Sequence, residues 1–160
     1  QGLPCVCGRE GCLERYVSPP ALQEVLRLAG LTQVDAAGIA RLHAEGHPAV
    51  LAWITQAGVL LSPVLAMLES LFDPETIVLG GALPDSVIDA LILATEPLPF
   101  SVARPGDRAI PRVQRGATGQ FTAALGAAAL PLLDASAARL VRNPAAGEPS
   151  PLAADTVPAA

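Results

Sequence analysis

Residues 47–72, HPAVLAWITQAGVLLSPVLAMLESLF, constrain the fold more than any other stretch of the chain. Val50, Ile54, Ala57, Leu61, Val64, Leu68 and Leu71 recur at alternating steps of four and three. Trp53, Leu60, Leu65 and Phe72 widen that stripe. The spacing is that of an α-helix with a broad apolar face, which must be core or subunit interface. Pro63 falls inside the pattern and predicts a kink over residues 59–62. Apolar residues make up 51% of the 160, but aromatics only 3%, so alanine, leucine and valine have to build the core. That composition predicts one helix-rich domain with closely packed helices.

The same composition excludes some partners. A net charge of −5 does not suit contact with a nucleic-acid backbone, which calls for a basic stripe. No run reaches the roughly 18 uninterrupted apolar residues of a membrane span. No charged-then-apolar signal pattern marks the start for export, so cytoplasmic placement is expected. A chain that opens on Gln1 is expected to have lost its natural start.

Around the long helix, shorter elements can be read. Residues 13–30 predict a short helix, a Ser-Pro-Pro break and a second helix capped by Ser18 and closed by Gly30. Asp35 caps a third helix in DAAGIARLHAEG. Thr76 to Leu79 reads as a buried parallel strand, ended by Gly80 and Gly81, with a helix over 84–96 after it. A further short strand is expected over 112–114, and GQFTAALGAAALPLLDA forms a small-residue helix. From Asn143 four prolines and six alanines dominate without period, which predicts a disordered tail over 143–160 behind a folded region of 1–142.

Chemistry concentrates at two places. Cys5, Cys7 and Cys12 are the only cysteines, and three is an odd number for a closed disulfide framework. Thiolates at that spacing suit a tetrahedral zinc, and Gly8 and Gly11 allow the tight backbone such a loop needs. A fourth ligand would make the site structural, and water there would make it catalytic; the alternative is three incidental thiols. His43 and His47 have no spacing that ties them to the cysteines. Gly80 and Gly81, at the end of a strand, can let a nucleotide or a sugar touch bare backbone, or can be an ordinary turn.

CVCGREGCLE, residues 5–14, resembles the ROK signature Cys-x-Cys-Gly-x-x-Gly-Cys-x-Glu at every fixed position. LFDPETIVLGGAL resembles the C-terminal strand and double glycine of that family, and GQFTAALGAAALPL its closing helix. ROK proteins are bacterial sugar kinases and sugar-responsive transcriptional repressors. The resemblance, over residues 2–133, implies an α/β fold: the helix-rich C-terminal half of an actin-like ROK domain with a small sheet and a zinc knot at residues 5–12.

It implies roles residue by residue. Cys5, Cys7 and Cys12 would hold a structural zinc whose fourth ligand is a histidine upstream of Gln1. Glu14 would accept hydrogen bonds from sugar hydroxyls, which suits an ionised carboxylate; otherwise it is a solvated or capping carboxylate. Gly80 and Gly81 would lie on the adenosine side in a kinase, where ATP and magnesium are needed, and would be a plain turn in a repressor. The family's phosphate-binding Asp-x-Gly loop, its Asn-Asp pair with the catalytic aspartate, and its second phosphate loop have no match here, so no catalytic residue is assigned. The repressors' DNA-binding helices have none either.

The leading expectation is therefore the sugar-binding, dimerising half of a sugar-responsive regulator, on the likeness of RGATGQFTAALGAAALPL to such members. The alternative is half of an ATP-dependent sugar kinase, and a third reading is a zinc-stapled oligomerisation module. The expected partners are a sugar or sugar phosphate and a second copy, with no nucleic acid on this segment and no membrane.

Overall fold

The computed structural model describes residues 2–99 and 110–142. The chain divides into two compact units, Gln1–Ala123 and Ala124–Ala160. In the first unit, α1 (Glu14–Val17), α2 (Pro19–Leu28) and α3 (Ala36–Ala44) precede the long α4 (Pro48–Phe72). Then come β1 (Ile77–Gly81), α5 (Asp85–Ala94) and β2 (Val113–Thr118), which make a helix-rich α/β arrangement with a small sheet. The last helix, α6 (Thr122–Arg142), carries Pro131 inside it and extends into the second unit. The expected tail over 143–160 lies outside the described residues.

The helix ends follow local chemistry. Ser18 Oγ accepts from the Ala21 amide, and Asp35 Oδ1 from the Gly38 amide at 2.7 Å, so both predicted caps form. At the end of α2, Gly30 takes φ +83, its amide bonds to the Arg27 carbonyl, and the Leu31 amide reaches back to Leu26. This 6→1 and 5→2 pair satisfies carbonyls that the helix leaves free. His47 starts α4, with Nδ1 accepting from the Ala49 amide.

The core lies between α2, α4 and α5. Leu22, Leu26, Val50, Leu65 and Val87 are completely or almost completely buried. Each such side chain contributes roughly 1.5–3 kcal/mol of transfer free energy. The buried face of α4 departs from the predicted stripe in its second half. It runs through Leu61, Ser62, Leu65, Ala66 and Glu69, while Leu60, Val64 and Leu68 are half-buried and Leu71 and Phe72 exposed. Small residues explain the shift. A Cβ on Gly58 would lie 2.5 Å from the Ala94 carbonyl oxygen, so α5 packs where α4 is thinnest, and the large side chains are left outside that contact. Ser62 Oγ then donates to the Thr95 carbonyl at 2.9 Å. The helix is long and apolar enough to cross a membrane, but Trp53, Ile54, Ala57 and Leu61 make it a core helix here.

β1 and β2 pair in parallel, Ile77 with Val113 and Leu79 with Arg115, across the α5 connection. The second strand is longer than the predicted 112–114. Nor is β1 wholly buried: Ile77 and Leu79 pack on the core, while Val78 is exposed. Among the described residues the sheet has only these two strands. Just before β2, Arg112 donates through Nε to Glu69 Oε1 at 2.9 Å and through Nη2 to Glu69 Oε2. Glu69 is fully buried, and the hydrogen bonds it accepts, helped by its charge, hold the Arg112 pKa above the ordinary value. This pair ties α4 to the sheet.

Candidate functional site

The cysteine loop is a tight hairpin built from backbone. Pro4 bridges to Glu10, the Cys5 amide bonds to the Arg9 carbonyl at 2.8 Å, and the Gly11 amide bonds to Leu3 at 3.0 Å. Gly8 and Gly11 adopt φ +82 and +74, the left-handed conformation expected of them. The fold of this loop brings the Sγ atoms of Cys5, Cys7 and Cys12 within 4.8 Å of one another, with Cys7 and Cys12 3.5 Å apart. Thiolates on a tetrahedral zinc, at about 2.3 Å per bond, stand about 3.8 Å apart. The donor set therefore fits three positions of such a site. Among the described residues it is the only group of three or more potential ligands that converges, and neither histidine joins it.

Protons are unevenly held in the trio. The Arg9 backbone N–H, then the neighbouring thiols of Cys12 and Cys5, lower the Cys7 pKa. Cys12 is pushed up to about 11, chiefly by its side-chain hydrogen bond with Cys7. A metal bound by thiolates would release the protons these sulfurs carry.

Tyr16, which sequence reasoning passed over, and Trp53, read there only as part of the apolar stripe, anchor this loop. Tyr16 Oη accepts the Leu3 amide at 2.8 Å, and the Tyr16 carbonyl accepts from Trp53 Nε1 at 2.9 Å. The loop is thereby fastened to α1, and α1 to the buried face of α4. Gly2 packs so closely on Gly11 that a Cβ there would stand 2.4 Å from the Gly11 Cα. The available signal was scarcity: these are the only tyrosine and the only tryptophan of the chain.

Glu14 opens α1, two residues after Cys12, and is exposed. The N-cap of α1 is Leu13, which makes no side-chain cap bond, and Glu14 is the acidic residue of the first turn. A cleft of about 510 Å³ beside the loop is lined by Gly2, Glu10, Gly11, Leu13, Tyr16, Gln56 and Leu60, and Glu14 is not among its walls. Gly80 and Gly81 lie in β1, far along the sequence from the cysteines. Gly80 has a packing reason to be glycine and Gly81 a conformational one. A Cβ on Gly80 would sit 2.7 Å from the Ala117 carbonyl oxygen, and Gly81, at φ +135, absorbs the register shift between the strands. Gly80 also borders a cavity of about 180 Å³ with Val17, Leu61, Leu83 and Ile88.

With the loop, its glutamate and the βαβ unit in place, comparison with known proteins defines the class. The ROK family profile matches residues 1–133, and the chain belongs to the ROK family. It is 33% identical over 132 residues to an N-acetyl-D-glucosamine kinase of Erwinia tasmaniensis, covering 81% of this chain and 42% of that one. An N-acetyl-D-glucosamine kinase of Pectobacterium atrosepticum is 29% identical over the same shares. The chain thus spans less than half the length of these relatives. Among solved structures, a ROK family transcriptional regulator homologous to the E. coli MLC protein superposes with TM-score 0.54 at 24% identity, over 77% of this chain and 33% of that one. A ROK hexokinase from Thermus thermophilus is 35% identical over 58% of this chain and 33% of its own, with TM-score 0.47. The fold is accordingly that of the actin-like ROK proteins.

Proposed function

We propose that this chain is the sugar-binding, zinc-stapled C-terminal half of a ROK sugar kinase. Cys5, Cys7 and Cys12 serve as zinc ligands, and Glu14 accepts hydrogen bonds from sugar hydroxyls. The observation that carries this reading is the convergence of the three sulfurs within 4.8 Å, immediately ahead of the exposed Glu14 carboxylate. A metal would fix the loop, and the loop in turn sets the start of α1, where Glu14 sits. The kinase names of the curated relatives favour phosphoryl transfer to a hexose such as N-acetylglucosamine. Phosphate-binding loops and a catalytic base are needed for that step and have no counterpart in these 160 residues, so the chain by itself binds sugar without phosphorylating it. In a kinase, Gly80 and Gly81 would face the adenosine of ATP–magnesium. The protein would work in a reducing cytoplasm, where thiolates remain available to zinc, and as a homodimer.

The second reading is a sugar-responsive regulator, favoured by the closing segment RGATGQFTAALGAAALPL. Both readings share the sugar site and differ in the phosphoryl acceptor test. The purified chain is expected to hold about one zinc, and Glu14→Gln to weaken N-acetylglucosamine or glucose binding about tenfold or more, as loss of a charged acceptor does. Calorimetric titration measures it, and unchanged affinity would remove Glu14 from the site. ATP-dependent phosphorylation of N-acetylglucosamine by the full-length protein separates kinase from regulator.

A further inference from the structure

Cys7 and Cys12 bring their Sγ atoms to 3.5 Å, and Cys5 completes the trio within 4.8 Å. Cys7 is exposed and Cys12 half-buried, so small reagents dissolved in water reach the pair. A disulfide holds its sulfurs about 2.05 Å apart, so this pair has about 1.5 Å to close. Side-chain rotation can close it, since no side chain from Gly2 to Cys12 is buried in the core. The backbone favours the same pairing. Four residues separate Cys7 from Cys12, and Gly8 and Gly11, at φ +82 and +74, already turn the chain back on itself. Cys5 is placed differently. Its amide bonds to the Arg9 carbonyl and its carbonyl accepts from the Gly8 amide. Cys5 and Cys7 therefore share one tight turn with a single residue between them, where there is little backbone to give.

We propose that Cys7 and Cys12 are a modification site, which a hydroperoxide oxidises to a reversible disulfide. The exposed Cys7 sulfur attacks one peroxide oxygen, and the O–O bond breaks to leave a sulfenic acid and, from hydrogen peroxide, water. The Cys12 sulfur then displaces the sulfenic oxygen as a second water, and the S–S bond forms. Two thiols give up two electrons and two protons, and the peroxide takes them. Exposed disulfides are the readily reduced kind, so cellular thiols reverse the step. The bond claims two of the three sulfurs that could hold a metal and leaves Cys5 alone, so oxidation and metal binding exclude one another. The crosslink follows from the sulfur geometry by itself, and only the exclusion of metal rests on the zinc reading.

Trypsin cuts after Arg9, which puts Cys5 and Cys7 on one peptide and Cys12 on the next, so the pairing can be mapped. The test treats the reduced, metal-free chain with equimolar hydrogen peroxide, alkylates the remaining thiols and digests it for mass spectrometry. The intact mass is expected to fall by about 2 Da, with the two peptides linked, the alkyl group on Cys5, and full reversal by dithiothreitol. Cys5→Ser should keep the crosslink within about twofold of the unaltered chain, and Cys7→Ser should lower it at least about tenfold. A crosslink through Cys5, sulfinic acid in place of a crosslink, or a product that dithiothreitol leaves intact would each overturn the proposal. Zinc retention by the oxidised chain is expected to be at least about tenfold below that of the reduced chain. Equal retention would overturn the exclusion of metal. Because the map is read on the unaltered, metal-free chain, it decides the pairing even where a variant does not fold, and its failure is told apart from failure of the zinc reading.

Discussion

From Gly2 to Cys12 not one side chain is buried, whereas α4 alone buries ten residues. The cysteine loop is held by backbone hydrogen bonds, two left-handed glycines and sulfurs that converge on one point. The α4–α5 region is held by apolar contact, close helix approach at Gly58, and one buried ion pair. The difference teaches that ordering in this unit comes from two sources, backbone hydrogen bonding around a cysteine cluster at one end and exclusion of water at the other. Tyr16 and Trp53 are where the two meet.

Breaking the ion pair should give the largest effect. Arg112→Met leaves the Glu69 carboxylate buried without its guanidinium and is expected to cost about 3–5 kcal/mol in urea unfolding. Adding Glu69→Gln should recover part of it, because a neutral amide is cheaper to bury than a carboxylate. Tyr16→Phe removes the acceptor for the Leu3 amide and should cost about 0.5–1.5 kcal/mol. Its sharper signature is a loosened loop, read as faster amide exchange at Cys5 and Gly11 and easier loss of metal to a chelator. The smallest effect on the core should come from metal removal itself. Chelation is expected to speed exchange across residues 3–12 while shifting core unfolding by less than about 1 kcal/mol, as a locally opening segment does. A large loss of core stability on chelation would merge the two regions into one cooperative unit.

Local features were legible in the sequence to the extent that they depend on neighbours along the chain. Ser18, Asp35 and His47 start helices through their side chains, Gly30 ends one because it lacks a side chain, and Gly8 and Gly11 turn the loop as glycines can. The grouping of the cysteines was legible too, because short spacing leaves them little room to be apart. What depended on distant partners was hidden. The inner face of α4 follows the thin positions Gly58, Ser62 and Ala66, which hydrophobic periodicity undervalues because it weighs side chains and ignores the closeness that small ones permit. Glu69 meets Arg112 across 43 positions, and no local pattern announces that encounter. The length of β2 likewise comes from pairing with β1, since Gln114, Arg115 and Gly116 have no strong strand character of their own.

The close approach of Gly80 to the Ala117 carbonyl has a consequence for lineage. A descendant of this chain that had never met a nucleotide would still need a bare α-carbon at that position, or its two strands would separate. The needs of the sheet and of the backbone account for the double glycine by themselves, so the pair alone is no sign of a nucleotide beside it.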